Sequence, residues 1–279
     1  MKQRSPFLLT CLLFGYAFFY IPIISMIFFS FNKSRLATVW GGFSTEWYGK
    51  LFANEQVIAA ALLSLRIALI SATLATILGT MAGMALARFR RFGGRTLFSG
   101  LVSAPLIMPE VITGLSMLLL FVYMEQLIGW PNGRGVTTVT IAHTTFSMSY
   151  VAVVVRSRLV AMDQSLEEAA MDLGSKPLQV LFDITLPLIV PAMISGWLLA
   201  FTLSLDDVVI TNFTNGPGTT TLPIYIWGKI KLGVTPDMNA LGTIIVAVVA
   251  IGVFIAGILM FRAERRRERD IQQAIAANK

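Results

Sequence analysis

Little in this sequence is suited to water. Of its 279 residues only 13% are Asp, Glu, Lys or Arg, 56% are hydrophobic, and the mean hydropathy is +0.74. A soluble domain carries about 25% charged residues. The shortfall excludes a water-exposed globule and implies an integral membrane chain with room for about five to seven spans. Cysteine occurs once, at Cys11 inside an apolar run, which excludes an intrachain disulfide and a cysteine-based metal site. Histidine also occurs once, at His143, so a multi-histidine centre is excluded with it. No G-x-x-x-x-G-K-[ST] stretch is present and NGPG at 215–218 reads as a turn, so the chain is not expected to hydrolyse ATP itself. Solenoid-type repeats, low-complexity linkers and a Ser/His/Asp set with workable spacing are lacking too, which argues against an array protein or a membrane enzyme.

What is present is apolar sequence in long runs. Six segments, at about 7–31, 57–87, 97–124, 136–160, 188–210 and 239–261, are each long enough to cross a hydrocarbon layer near 30 Å. Lipid offers no partner to free backbone N–H and C=O groups, and the segments are too long for barrel strands, so helices are expected. Pro187 and Pro191 punctuate the start of the fifth, and Asp206 and Asp207 its end. The first run follows a basic start, as in a secretory signal. Its apolar part from Phe7 to Phe31 is about 25 residues where a signal core has roughly 7–15, and no small-x-small cleavage site follows. It reads as a retained first span.

A net charge of +7 would suggest nucleic acid or another anionic partner for a soluble protein. In a membrane chain, accumulation of Lys and Arg on the cytoplasmic side explains it, and no nucleic acid is expected. With the N-terminus inside, Lys33, Arg35, Lys50, Arg134, Lys229 and Lys231 fall outside and Arg66 falls within a span. That leaves 15 of the 22 basic residues inside, Lys2, Arg4, Arg88, Arg90, Arg95 and Lys279 among them. Both termini are therefore expected in the cytoplasm. The expected fold is all-α: a polytopic membrane helix bundle with six transmembrane helices in a single domain over 1–279. It carries a cytoplasmic segment at 161–187 and a mixed-charge cytoplasmic tail at 262–279. Trp40, Trp47, Tyr48, Tyr225 and Trp227 in the outer loops suit an aromatic belt at the headgroups.

Residues 161–187 form the longest cytoplasmic loop. SLEE reads as a capping box, with Ser165 as N-cap and Glu168 reaching back to it. Leu166, Ala169, Ala170 and Leu173 then form one apolar stripe on about two helical turns, and Gly174 suits a left-handed C-cap. Pro177 opens a second helix whose apolar face is Leu178, Leu181 and Phe182 and which Pro187 ends. A helix so short is marginal alone in water, so its stripe needs a surface. Either the chain's own spans supply one, or a partner does, approaching over the small alanines with Glu167, Glu168 and Asp172 at the rim.

Glu168-Ala169-Ala170, three residues, Gly174, nine residues, then Ile184-x-Leu186-Pro187 resembles the EAA signature of permease subunits in bacterial ABC importers, and matches every signature position. The resemblance implies a type I importer permease fold in the bacterial inner membrane. It places the ATPase-coupling surface on Glu167, Glu168, Ala169, Ala170, Asp172, Leu173, Gly174, Ile184, Leu186 and Pro187. The segment would seat in a cleft of an ATP-hydrolysing subunit and move with its closure. The implied partners are a second homologous permease, two ATP-binding subunits and a periplasmic substrate-binding protein. No cofactor is implied for this chain; ATP and Mg2+ act in the partner subunits. The stretches PLIMPEVITGLSMLLLF and LSLDDVVITNFTNGPGTTTLPIYIWGKIKLGVTPDMNAL resemble the second permease of polyamine importers, the putrescine type above all.

Ionisable groups inside spans are costly and functional by default. Glu110 follows Pro109 in the third span, where a proline-loosened helix presents its carboxylate inward or pairs it with Arg66. Asp206 and Asp207 close the fifth span in its outer half, where they face a path for a short dication or cap the next segment. Neighbours on a helix point about 100° apart, so at most one of the two faces a path. Tyr123 offers either a cation–π face or a belt residue. His143 reads as a hydrogen-bonded packing residue rather than a proton relay. Gly79 and Gly83 form G-x-x-x-G, which permits close helix approach within the subunit or across it. The alternative function is a self-contained secondary transporter for an organic cation, with Glu110 and Asp207 as proton carriers. That class shows interrupted helices in corresponding positions of two halves, and no convincing pair is visible.

Overall fold

The computed structural model describes residues 6–36, 39–89, 91–233 and 235–277. Lys2, Arg4, Arg90 and Lys279 of the basic count lie outside the described residues, as do the side chains of Arg266, Arg267 and Arg269. The helices are α1 (Pro6–Ser30), α2 (Glu46–Phe52), α3 (Glu55–Arg88), α4 (Arg95–Ile107), α5 (Glu110–Ile128) and α6 (Val136–Ala161). Then follow α7 (Ser165–Asp172), α8 (Pro177–Val180), a π turn (Leu181–Thr185), α9 (Leu186–Leu205), α10 (Val209–Thr214), α11 (Leu222–Leu232) and α12 (Pro236–Ala277). Among the described residues, strand-like pairing is confined to one isolated bridge between Asn32 and Phe43.

Apolar runs set the helices; α1, α3 and α6 lie within two residues of the expected 7–31, 57–87 and 136–160. Punctuation corrects the rest. The expected third span, 97–124, is two helices, α4 and α5. Met108 (ψ 138°) and Pro109 (ψ 138°) are extended between them, because a residue before proline avoids the helical region and proline has no N–H to continue the ladder. The expected fifth span, 188–210, is displaced: helix runs without interruption from Pro177 to Leu205 and stops there. Pro187 therefore does not end the second helix of the 161–187 segment. Leu186 N–H reaches back five residues to Leu181 O, and this widened turn accommodates a proline that would break a regular ladder. The sixth span, expected at 239–261, continues helical through the tail to Ala277.

The helices form two compact units, Met1–Glu55 with Lys229–Lys279, and Gln56–Gly228. In the first, α1 and α2 lie against α12, and a Cβ on Gly242 would meet Met26 Sδ. Buried Asn32 organises the loop after α1. Its amide donates to Val39 O (2.7 Å), its Oδ1 accepts Gly41 N–H (2.7 Å), and its carbonyl accepts Trp47 Nε1–H (2.7 Å). Trp47 and Tyr225 are buried packing residues, a correction to the aromatic-belt reading, whereas Trp40 and Trp227 stay exposed.

In the second unit α3, α6 and α9 share a core of Ala72, Ala75, Val151, Val155, Leu159, Ile189 and Ala200. Small residues set the spacing, because lipid leaves packing rather than hydrophobic burial to hold helices together. A Cβ on Gly79 would stand 2.7 Å from Met148 O, and one on Gly83 2.9 Å from Ala152 O. The G-x-x-x-G face thus packs on the chain's own α6.

Candidate functional site

The 161–187 segment is a helical hairpin at the foot of α9. Gln164, not Ser165, occupies the N-cap position of α7. Asp163 Oδ1 accepts Ser165 N–H at 2.9 Å, and this local turn takes the donor that the expected capping box would have used. The same bond holds the Asp163 carboxyl below the usual carboxylate range. At the other end Gly174 adopts φ +92°, Ser175 N–H bonds Ala170 O (3.0 Å), and Gly174 N–H bonds Met171 O (2.9 Å). This is a Schellman cap, and the left-handed position favours glycine.

The stripe does not pack on the chain's own helices. None of the α7 residues is buried, and Leu173 is 89% exposed. Leu166, Met171, Leu178 and Phe182 are exposed as well, so the second helix departs from expectation by burying Val180 and Thr185 instead. Glu168, Ala169, Asp172 and Pro187 face solvent, whereas Ala170, Ile184 and Leu186 are half-buried. Glu167 turns inward. Its Oε1 accepts from Arg88 Nη2 (2.7 Å) and from Thr185 Oγ1–H (2.7 Å).

A second constellation lies where α9 stops. Asp207 Oδ2 accepts Thr211 N–H (2.7 Å) and Thr211 O–H (2.7 Å), while Oδ1 accepts Ile210 N–H (3.2 Å). Asp207 therefore caps α10, the plainer of the two roles expected for it. Buried His143 reaches from α6 across the break. Its Nδ1 lies 2.7 Å from Ser204 Oγ, and its Nε2 lies 2.9 Å from Thr211 Oγ1 and 3.2 Å from Asp207 Oδ2. A neutral ring with the proton on Nε2 satisfies the set: Ser204 O–H donates to Nδ1, and Nε2–H is shared by Asp207 and Thr211. The far end of α10 is capped by Thr138 O–H on Thr214 O (2.7 Å) and Arg134 Nη1 on Phe213 O (3.2 Å). Beside this closed network the Asp206 side chain is exposed.

Glu110 is the first residue of α5 and exposed. Helical spacing sets it on the face of Gly114, whose Cβ would stand 2.7 Å from the Phe213 ring of α10. It is thus one turn from the α5–α10 contact. Among the described residues the ion pairs of Lys or Arg with a carboxylate are Lys50–Glu46 and Arg88–Glu167, so the Arg66–Glu110 pair, one of the two readings of Glu110, does not form. Glu110 instead shares the face of α5 on which Gly114 meets Phe213 of α10. Tyr123 is 63% exposed near the far end of α5. Chemically, Asp206 and Glu110 are acceptors open to a cation, whereas Asp207 is fully engaged.

Sequence reasoning did not find the Arg88–Glu167–Thr185 contact, since these residues are far apart in the chain. It placed His143 among packing residues without its partners. The signal was available: Ser71, His143, Ser204 and Thr211 are polar residues inside apolar runs, and each needs a partner once buried.

Residues 79–269 match the family described as binding-protein-dependent transport system inner membrane component. Over 271 residues the chain is 55% identical to the putrescine transport system permease protein PotI of Escherichia coli (strain K12), spanning 97% of this chain and 96% of that one. It is 43% identical over 231 residues to the spermidine/putrescine transport system permease protein PotC of Haemophilus influenzae, spanning 83% and 87%. Of solved structures, a chain of a bacterial ABC transporter involved in import of the acidic polysaccharide alginate matches with TM-score 0.73 and 19% identity, over 92% of this chain and 93% of that one. A chain of the inward-facing MetNI methionine ABC transporter matches with TM-score 0.60 and 15% identity, over 74% and 95%. These two likenesses are of fold.

Proposed function

We infer the role of this chain from its kinship: it belongs to the family of binding-protein-dependent transport system inner membrane components. It is a permease subunit of an ATP-driven importer, and its cargo is a polyamine, putrescine foremost. The observation that carries this reading is 55% identity to a putrescine permease along 97% of the chain. The exposed stripe on the 161–187 hairpin supports it, since an apolar surface left open on a short helix suits a partner.

The chain forms half of the pathway, and a second homologous permease completes it. Both termini and the hairpin face the cytoplasm, where the hairpin seats on one of two ATP-binding subunits. ATP and Mg2+ are bound and consumed there. A periplasmic binding protein delivers cargo to the outer loops. Closure of the ATP-binding pair moves the hairpin, and the loaded binding protein biases the same two-state equilibrium from the other side. Asp206 and Glu110 replace part of the hydration of the diamine's two ammonium groups, and Tyr123 offers a ring face. Separate, weak sites suit a cation that must leave as well as enter.

Purification of the tagged chain in mild detergent is expected to retain both ATP-binding subunits, and vesicle uptake of putrescine is expected to require ATP and the binding protein. Uptake driven by a proton gradient without ATP would overturn the reading in favour of a secondary transporter.

A further inference from the structure

We infer that Glu167 is the joint through which movement of the hairpin reaches the membrane helices, acting as a positioning residue through Arg88 and Thr185; this rests on the coupling reading above. Two adjacent glutamates divide the work. Glu168, the signature residue, faces solvent, whereas Glu167, about 100° around the helix, faces the chain's own interior.

Three elements meet at one atom. Arg88 closes the cytoplasmic end of α3, Glu167 lies on α7, and Thr185 ends the π turn at the foot of α9. Among the described residues, the side-chain hydrogen bonds that tie α7 to α3 and to the foot of α9 converge on Glu167 Oε1, from Arg88 Nη2 and Thr185 Oγ1, each at 2.7 Å. With no buried side chain of its own, α7 has little else to grip the helices beneath it. A displacement of α7 is therefore passed to α3 and α9 together.

The chemistry of the contact suits a moving part. The two charged side chains are only 19% and 15% exposed, so water screens them less than it screens a surface pair. Arg88 engages through Nη2, while its Nε is buried and makes no hydrogen bond. A contact through one nitrogen can swivel, whereas a two-pronged guanidinium–carboxylate fork fixes an angle.

The test uses the whole assembly in lipid vesicles: this chain, the sister permease, two ATP-binding subunits and the binding protein. Glu167→Gln and Arg88→Glu are expected to keep both ATP-binding subunits and to hydrolyse ATP, while putrescine taken up per ATP falls about tenfold, within the usual range of coupling between sites. The reversed pair, Arg88→Glu with Glu167→Arg, is expected to recover much of that ratio. A merely structural residue would lower assembly and hydrolysis together and leave the ratio unchanged. An unchanged ratio in the single variants overturns the inference, as does failure of the reversed pair to recover it. Loss of the ATP-binding subunits from Glu167→Gln also overturns it, because Glu167 would then be a docking residue. If the unaltered assembly holds no ATP-binding subunit, the coupling reading itself has failed.

Discussion

Neutralising one or the other of two neighbouring aspartates separates architecture from transport. Asp207→Asn alters a carboxylate that accepts from Ile210 N–H, Thr211 N–H, Thr211 O–H and His143 Nε2. An amide keeps one acceptor oxygen and turns an NH2 group onto donors it cannot satisfy. The Asp207 side chain is only 9% exposed, so water does little to replace the lost acceptor. A buried hydrogen bond to a charged group is worth about 1.5–3 kcal/mol. With roughly 2–4 °C per kcal/mol for a chain of this size, the unfolding midpoint is expected to fall by about 3–12 °C. Asp206→Asn changes an exposed group, and surface changes stay within about 0.5 kcal/mol, so its midpoint is expected to hold. Uptake should order the two variants differently. If Asp206 loses a contact of about 1.4 kcal/mol with the passing ammonium, uptake falls about tenfold. The assay pairs thermal unfolding of the detergent-purified assembly with ATP-driven putrescine uptake in vesicles. Normal uptake by Asp206→Asn, or an unchanged midpoint with lost uptake for Asp207→Asn, would refute the division of roles.

Three further outcomes are expected. Gly79→Ala places a Cβ 2.7 Å from Met148 O and should destabilise by about 1–3 kcal/mol, whereas Gly100→Ala, which meets nothing within 4 Å, should not; equal midpoints for the two would contradict the α3–α6 contact. Leu173→Ser, at a residue 89% exposed, should leave the midpoint unchanged and lower retention of the ATP-binding subunits about tenfold, because burying a leucine is worth about 1.5–3 kcal/mol. Gly174→Ala at φ +92° should cost about 1 kcal/mol and weaken the same retention to a smaller extent, measured by pull-down.

Apolar length was a sufficient guide to α1, α3 and α6, because a run of that size in lipid has no other way to satisfy its backbone. It could not locate the break at Met108–Pro109, since a broken and a continuous helix have the same hydropathy. The limits of the fifth span were misplaced for two different reasons. A proline preceded by a widened turn does not stop a helix, and an aspartate that caps the next helix ends one earlier than the apolar count implies. Gly174 was legible because a left-handed residue leaves a local mark. Glu167 was legible as a charge at the rim of a hairpin, but its direction depends on Arg88, which folding alone brings beside it. Asp206 and Asp207 read alike in sequence, and their partners tell them apart: His143, Ile210 and Thr211 engage Asp207.

The continuous helix from Pro177 to Leu205 joins the hairpin to the acidic pair. Its 29 residues, at about 1.5 Å each, make a rod of about 43 Å. Such a rod is a lever: a tilt of about 10° around its lower end sweeps the upper end through about 7 Å, at the rise per residue just used. That excursion exceeds the girth of a methylene chain. A modest displacement at Pro177 is thus multiplied at Leu205, and Asp206, the residue that caps this helix, travels with it.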